Sequence, residues 1–552
     1  MAFDLDLFRG LAFERRARPD HPIGDEAQAR KMVQALPGHD PSAALAELTH
    51  WAVSMNEESS FTPDLRARIL MEIDLAAHPF WRSLGVEFLA PGGKPSEGVD
   101  GNPGILHALR ESAAEFANGY RLSLTPDGLK SRWMQDNLAM VLLRRTRWHA
   151  RKMQFSRMLR QPGSDAGWAE LHELYHLAEE HGVLRKVNKV FPGNLRPSSM
   201  KQEYVRPLLG DIARPDRFLG REFELMFRVI GRISSSVQLE QERLPGALHA
   251  VVPELSHRPV TLSRHAGSLP ESALYIDITN AIPRLKALLE RHMDIDPAQP
   301  DPEFDEMFTV RERRSLIEKL IAQWTANAPQ RRVQRIALKS LLHIHQGFED
   351  VAKVMPDVDQ GDRQIMQSVD KGLRIQLGAD ERKAQAPRAV RLIKGELHDA
   401  STSGMGVVVD RSEVRWARIG ALVAVCVQPG RDWVVGVVRR ANDVADQLRL
   451  GVALLSRKPR LLWFRLEGSG YKTVWEAEKR YERNFLEQFQ RGILMEADQP
   501  PFSSGEMLLP PGLASRGTRF DVPMHAGMER LLVTAVREET QDFQRVAYER
   551  SR

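Results

Sequence analysis

Two short stretches of this sequence gather residue types that can grip an anionic ligand. Gln330-Arg331-Arg332-Val333-Gln334-Arg335-Ile336 carries an Arg-x-x-x-Arg spacing with Arg332 alongside. His398-Asp399-Ala400-Ser401-Thr402-Ser403-Gly404-Met405-Gly406 carries Asp-x-Ser-x-x-Gly. An arginine presents a permanently charged planar fork of donors, which fits two anionic oxygens at once and also stacks on flat rings. A carboxylate accepts from N–H donors, a serine hydroxyl donates or accepts, and glycine lets the backbone turn sharply and approach a ligand. Each stretch has a plainer reading by itself. The arginines suit a solvated basic turn, and Asp-x-Ser-x-x-Gly describes many turns.

A third constellation, His172-Glu173-Leu174-Tyr175-His176, matches H-E-x-x-H. On a helix the two histidines lie one turn apart and could hold zinc, with Glu173 as general base of a zinc-dependent hydrolase. The continuation does not suit the metzincin pattern. Glu179 stands where glycine is needed and no third histidine follows at the required place. Glu203 is a loose candidate for a third ligand. The same segment already carries a packing stripe at Trp168, Leu171, Tyr175 and Ala178. A structural amphipathic helix is therefore the favoured reading, with the zinc hydrolase a remote alternative.

The elements that must position these residues follow from periodicity. Up to about residue 327 apolar residues recur at three- and four-residue spacing, the signature of helix. Ser164-Asp165 can start the helix of the H-E-x-x-H segment and Gly182 can end it. From Asp305 to Asn327, Met307, Phe308, Leu316, Leu320, Ile321 and Trp324 can share one buried face, and Leu208–Val237 and Ala273–His292 also read as mostly helical. The Gly- and Pro-rich stretch 91–103 is a candidate boundary between two subdomains.

Near Pro329 the pattern changes. From Val390 the period is two, β-branched residues dominate and turns recur. Strands are expected at Val390–Leu397, Met405–Val409, Ala421–Val427, Trp433–Val438, Leu448–Leu455 and Arg460–Leu466. Short strands at that spacing suggest a small antiparallel barrel, assigned to 328–462, with a partly helical insertion at about 345–388. The remainder, 463–552, reads as a charged helix at Tyr471–Gln488 followed by a smaller β unit. Its strands are expected at Gln490–Glu496, Glu506–Leu509, Phe520–Pro523, Arg530–Val536 and Phe543–Tyr548. The fold class expected is thus α+β multidomain: an all-helical N-terminal region, a barrel and a small β-containing C-terminal unit.

Composition narrows the function. The 552 residues exceed one ordinary core. A net charge of +5 from 78 basic and 73 acidic side chains permits an anionic ligand but lacks the basic surplus of a nucleic-acid binder. The single cysteine, Cys426, excludes an internal disulfide and a Cys-based zinc site, and its apolar run Ala421–Gln428 marks it as a buried hydrophobe. The N-terminus lacks the basic start and apolar core of a signal peptide, and no stretch is long and apolar enough to span a bilayer. A cytoplasmic protein without membrane insertion is expected. No phosphate-binding loop, dinucleotide fingerprint or nucleophile elbow occurs, so no catalytic residue and no metal ligand is assigned and the chain is not expected to be an enzyme.

The arginine element, the Asp-x-Ser-x-x-Gly turn and the downstream order resemble the PilZ domain family. That order runs through Ile419-Gly420-Ala-Leu-Val-Ala-Val, Trp433-Val-Val-Gly-Val-Val-Arg439-Arg440 and Leu450-Gly451-Val452-Ala-Leu-Leu. The resemblance covers about a quarter of the chain. It implies a β-barrel that binds cyclic di-GMP, with Arg331, Arg332 and Arg335 on phosphates and guanine edges, and Asp399, Ser401 and Gly404 on the other side of the ligand. It further implies a regulator that needs no cofactor and couples binding to an unidentified protein partner through the helical region. The Gly-Gly-Asp-Glu-Phe and Glu-Ala-Leu motifs of cyclic-dinucleotide synthases and hydrolases are not seen. In the family the two elements lie closer than Arg335 and Asp399 do here, so the segment from Ile336 to Arg388 must hold a first strand plus the insertion. Arg382, Arg388 and Arg391 are alternative basic partners. The contrasting expectation is a barrel without a ligand that serves as a protein-interaction scaffold.

Overall fold

The computed structural model describes residues 19–89, 103–159, 165–191, 197–214, 218, 220–265, 268–304, 307–325, 336–356, 358, 392–410, 412, 416–427, 433–444, 447–466, 489–495, 504–524 and 527–551. The chain forms two compact units, Met1–Pro329 and Gln330–Arg552. The expected helix at Tyr471–Gln488, most of the insertion, and Arg382, Arg388 and Arg391 lie outside the described residues.

Helix dominates the first unit, as its 3.6-residue period predicts. The helices are α1 (Glu26–Gln34), α2 (Pro41–Glu57), α3 (Pro63–Leu89), α4 (Pro103–Ser123), α5 (Pro126–Lys130), α6 (Arg132–Met158), α7 (Asp165–Glu180), α8 (Met200–Ile212), α9 (Gly220–Ile233), α10 (Ile282–Glu290) and α11 (Val310–Trp324). Several of their starts are set by side chains that satisfy the orphan N–H groups of the first turn. Asp40 accepts from Ser42 and Ala43 with Pro41 beginning α2, and Ser199–Gln202 and Thr309–Glu312 form reciprocal capping boxes on α8 and α11. The stripe Trp168, Leu171, Tyr175 and Ala178 is buried on α7, as expected. One apolar cluster runs from Ile23 to Trp324, through helices on both sides of residues 90–102.

The first unit departs from all-helical in one place. A four-stranded sheet of order β1-β4-β2-β3 is made of β1 (Gln238–Glu240), β2 (His249–Val251), β3 (Val260–Thr261) and β4 (Leu274–Asp277). The segment Ala273–His292, expected as helix, therefore begins as strand and turns helical only at α10. Strands of two to four residues are too short for period two to show against a helical background.

At the centre of the helices Asp74 of α3 is fully buried and accepts from Tyr120 Oη at 2.8 Å, Trp148 Nε1 at 2.9 Å and Arg144 Nη1 at 2.5 Å. These donors come from α4 and α6, so one carboxylate ties three helices together. Burial raises its pKa, and the Arg144 charge and the three hydrogen bonds act against that.

The second unit contains β5 (Ile336–Gln346), α12 (Phe348–Val354), β6 (Ile393–Ala400), β7 (Gly404–Asp410), β8 (Leu422–Cys426), β9 (Val434–Val444), β10 (Gln447–Ser456), β11 (Arg460–Leu466), β12 (Gln490–Met495), β13 (Ser504–Leu509), β14 (Arg519–Met524), β15 (Gly527–Glu539) and β16 (Gln544–Ser551). These strands close into two six-stranded antiparallel barrels, β10-β7-β6-β5-β8-β9 and β11-β12-β13-β16-β15-β14. Closure removes exposed sheet edges, which a solitary small sheet would have to protect by other means. The strand Arg460–Leu466, grouped in the sequence with the first barrel, pairs with β12 and β14 and belongs to the second.

The uninterrupted apolar run at β8 has a physical reason. All five of its residues are buried. Val423 and Val425 point into the first barrel, while Leu422 and Ala424 join Val435, Val437, Leu461, Ile493, Leu508, Phe543 and the α12 residues Phe348 and Val351 in a core shared by the two barrels. A strand buried on both faces loses the alternation of a half-exposed one. Cys426 is buried at the end of β8, and burial raises its thiol pKa. Polar contacts flank the shared core. Asp542 accepts from Arg418 and from the Leu422 N–H, and Glu538 accepts a two-pronged contact from Arg439. Among the described residues no helix is long and apolar enough to cross a membrane.

Candidate functional site

The Asp-x-Ser-x-x-Gly element folds as the β6–β7 hairpin of the first barrel. Leu397 pairs with Val407 and Asp399 with Gly406, so the ladder skips His398, and the strand is irregular there. Such bulges re-aim the side chains that follow them. The turn is closed by Ser401, whose N–H and hydroxyl both donate to the Gly404 carbonyl, at 2.8 and 3.0 Å. The lone pairs of the Ser401 hydroxyl stay available as acceptors. Gly404 is required by crowding, since an added Cβ would come within 2.8 Å of the Val452 carbonyl oxygen.

Asp399 is partly buried, with its side chain 19% exposed, and its carboxylate lies 3.8 Å from the Arg449 guanidinium on β10. Gly406 provides its seat: a Cβ there would stand 2.7 Å from Asp399 Oδ1. Arg457, just past β10, donates from Nη2 to the Thr402 carbonyl at 3.0 Å. The Leu454 N–H donates to the Ser403 carbonyl at 3.1 Å. The turn is thus held from the β10 side by backbone and by cationic side chains.

On its other side the hairpin meets the start of β5. Ile336 pairs with Ala400 and Ala337 with Asp399. Ile336 is the residue that follows Arg335 in the chain. Arg331, Arg332 and Arg335 themselves lie outside the described residues. The beginning of β5 is solvent-facing, with Ile336 67% and Leu338 45% exposed. Three segments far apart in sequence therefore converge at one end of the barrel: the start of β5, the β6–β7 turn and the end of β10.

Three residues here were not singled out from sequence. Gly406 had a legible signal in the pair Gly404-Met405-Gly406, two glycines at strand spacing, which marks a close approach. Arg449 and Arg457 had none, because arginine is abundant in the chain and neither sits at a telling spacing.

The H-E-x-x-H segment is built differently from a metal site. His172 is buried and uses both ring nitrogens within the protein. Nε2 faces the His257 carbonyl at 3.0 Å and so carries the proton, leaving Nδ1 to accept from the Tyr204 hydroxyl at 2.8 Å. Burial lowers the His172 pKa and holds the ring neutral. His176 is half-exposed, 3.9 Å from Glu179, and Glu203 is occupied by Arg147 and Arg206. Among the described residues no group of three or more His, Cys, Asp or Glu side chains is placed to hold a metal ion. Glu173→Gln should accordingly leave stability and ligand binding unchanged, and metal analysis of purified protein should give no stoichiometric zinc. Near one zinc per chain, lost in His172→Ala, would overturn this assignment.

Residues 27–244 match a family model described as the N-terminal domain of the cyclic-di-GMP receptor FimW. The match lies within the helical unit, upstream of both barrels, and takes in less than half of the chain. The chain is also similar to the cyclic-di-GMP receptor FimW of Pseudomonas aeruginosa, at 31% identity over 121 residues. That alignment covers 21% of this chain and spans 19% of the length of the relative.

Proposed function

We propose that this chain is a non-enzymatic receptor for cyclic di-GMP, of PilZ type, which binds the ligand at the end of the first barrel where the β6–β7 turn adjoins the start of β5. The observation that carries the reading is the β5–β6 register. Ala337 stands opposite Asp399 and Ile336 opposite Ala400, so the described strand that follows Arg335 in the sequence pairs with the Asp-x-Ser-x-x-Gly element, which supports this reading. In this reading Arg331 and Arg335, with Arg332 beside them, fork onto phosphate oxygens and guanine O6 and N7. Asp399 accepts from the guanine N1–H and N2–H, Ser401 offers its hydroxyl lone pairs to an N–H donor, and Gly404 lets the ligand approach the backbone. Arg449 acts as a positioning residue for Asp399, and Arg457 adds positive charge beside the turn. Similarity to the cyclic-di-GMP receptor FimW of Pseudomonas aeruginosa supports the same ligand.

The arginine element falls in the sequence between the helical unit and the first barrel strand, so contact with a ligand there is a means of signalling to a protein partner through the helical unit. The expected setting is the cytoplasm. A second reading, a scaffold whose barrel serves protein contacts without a ligand, is favoured by the exposed Ile336, Leu338 and Leu341 on β5. Isothermal titration of the full chain separates the two. Cyclic di-GMP should give saturable heat, with GTP and cyclic GMP binding at least tenfold more weakly. A flat titration with all three ligands would leave the scaffold reading standing.

A further inference from the structure

The two barrels share one winding. Numbered in chain order within each barrel, the strands make the same six neighbour pairs in both: 1-2, 2-3, 3-6, 6-5, 5-4 and 4-1. All of these pairs are antiparallel. The pairing of strands 5 and 6 is irregular in both barrels, with shifts near Val452 and Leu454 in the first and near Val533 and Val536 in the second. Six strands can close in many orders, so agreement in every pair marks a repeated fold. It makes β11, β12 and β13 the counterparts of β5, β6 and β7.

That correspondence locates the second barrel's version of the ligand end. In the first barrel Ala337 faces Asp399, and Asp399 faces Gly406. In the second, Arg460 at the start of β11 faces Leu494, and Leu494 faces Met507. Leu494 and Met507 are fully buried in that barrel's apolar core. An apolar side chain thus replaces the acceptor, and a methionine stands where Gly406 leaves room for the Asp399 carboxylate. At the next pair Glu506 faces Met495, but its carboxylate accepts from Arg545 Nε at 2.8 Å. The β12–β13 ladder is regular among the described residues, without the slip that the β6–β7 ladder makes at His398. The sequence 496–505 contains no Asp-x-Ser-x-x-Gly.

What joins the two barrels bears on the first site instead. Only Arg457, Lys458 and Pro459 lie between β10 and β11. The Arg457 guanidinium donates to the Thr402 carbonyl at 3.0 Å and approaches the Ser401 carbonyl at 3.5 Å. The link is held at both ends. The Lys458 N–H donates to Ser456 Oγ at 3.2 Å, and the Leu461 N–H donates to the Pro356 carbonyl at 2.9 Å. The core common to both barrels packs Leu461 with Leu422 and Val435 of β8 and β9. A guanidinium anchored in this way holds the turn in one shape before a ligand arrives, which lowers the ordering cost of binding. We propose that the second barrel is a repeat of the receptor barrel without a cyclic-dinucleotide site of its own, and that it serves the first barrel by fixing Arg457 as the positioning residue of the ligand turn. This rests on the reading of the first barrel as the ligand site.

Hydrogen exchange of the full chain without ligand tests the hold directly. The Ser401 and Leu454 amides donate to the Gly404 and Ser403 carbonyls. In Arg457→Ala both should exchange about tenfold faster, and Arg457→Lys, which keeps a donor for the turn, should restore much of the protection. Calorimetric titration with cyclic di-GMP should show one class of sites. Arg457→Ala should weaken it about three- to tenfold, the range of one hydrogen bond, without changing the stoichiometry. Ser504 is exposed and begins β13 as Gly404 begins β7. Ser504→Trp puts a bulky ring at the second barrel's ligand end and should leave affinity and stoichiometry unchanged. Unaltered exchange in Arg457→Ala, a second class of sites, or loss of binding in Ser504→Trp would overturn the proposal. An absence of heat in the wild type would remove the reading of the first barrel instead, and hydrogen exchange would still decide the hold by Arg457.

Discussion

Arg335→Ala should weaken cyclic di-GMP more than tenfold in isothermal titration, and Arg331→Ala should do likewise. Truncating one partner of a desolvated, hydrogen-bonded charge pair typically costs about 2–5 kcal/mol, and each 1.4 kcal/mol is about a tenfold change in affinity. Folding should survive both changes, because in the proposed reading these arginines meet the ligand rather than a core, and substitutions away from cores and buried networks contribute little to stability. Asp399→Ala should also weaken binding by removing the acceptor for the guanine edge. Since both residues would hold one ligand, Arg335→Ala/Asp399→Ala should lose less than the sum of the single losses. Arg449→Ala should cost less than Arg335→Ala. Its contact with Asp399 is 3.8 Å long and its side chain is 46% exposed, which is a weak ion pair. Raising salt should weaken binding in the wild type through screening of the phosphate contacts. Equal affinities in wild type, Arg331→Ala and Arg335→Ala would mean that the ligand is held elsewhere, and Arg388 and Arg391 would be the next pair to replace.

Asp74→Ala should destabilise the helical unit by about 3–5 kcal/mol, the cost of leaving a buried charge without its partner. The substitution strands the Arg144 guanidinium, 6% exposed, in the interior. It also orphans the Trp148 indole N–H and the Tyr120 hydroxyl, both of which now donate to the same carboxylate. Arg144 would keep its donation to the Met71 carbonyl at 2.9 Å and its place over the Phe191 ring, neither of which supplies a countercharge. A loss of that size is a large share of the 5–15 kcal/mol that holds a typical domain folded. Urea denaturation of the full chain, followed by tryptophan fluorescence, measures it. Asp74→Asn retains an acceptor for one or two of the donors and should fall between wild type and alanine. A change below about 1 kcal/mol in Asp74→Ala would show that the network is decoration rather than the tie between α3, α4 and α6.

Sequence by itself determined what is written in local periodicity and local capping. The stripe Trp168, Leu171, Tyr175 and Ala178 marked α7, and alternating or continuous apolar β-branched runs marked the strands from β6 to β16, because side-chain direction repeats every 3.6 residues in a helix and every two in a strand. The turn at Ser401–Gly404 was legible because it closes on itself through Ser401. Tertiary structure decided which of these surfaces meet. Nothing local says that Ala337 faces Asp399, since the register is a property of two strands separated by a long segment. Nor does anything local assign Arg460–Leu466 to the second barrel, because its apolar pattern suits either sheet and only pairing with β12 and β14 chooses. The packing stripe already favoured a structural role for the His172 helix, but only the tertiary structure shows that Tyr204 and the His257 carbonyl take both of its ring nitrogens. Arg449 and Arg457 follow the same rule. Each residue type is common in the chain, and what gives it a role is the close approach of elements that the sequence lists far apart.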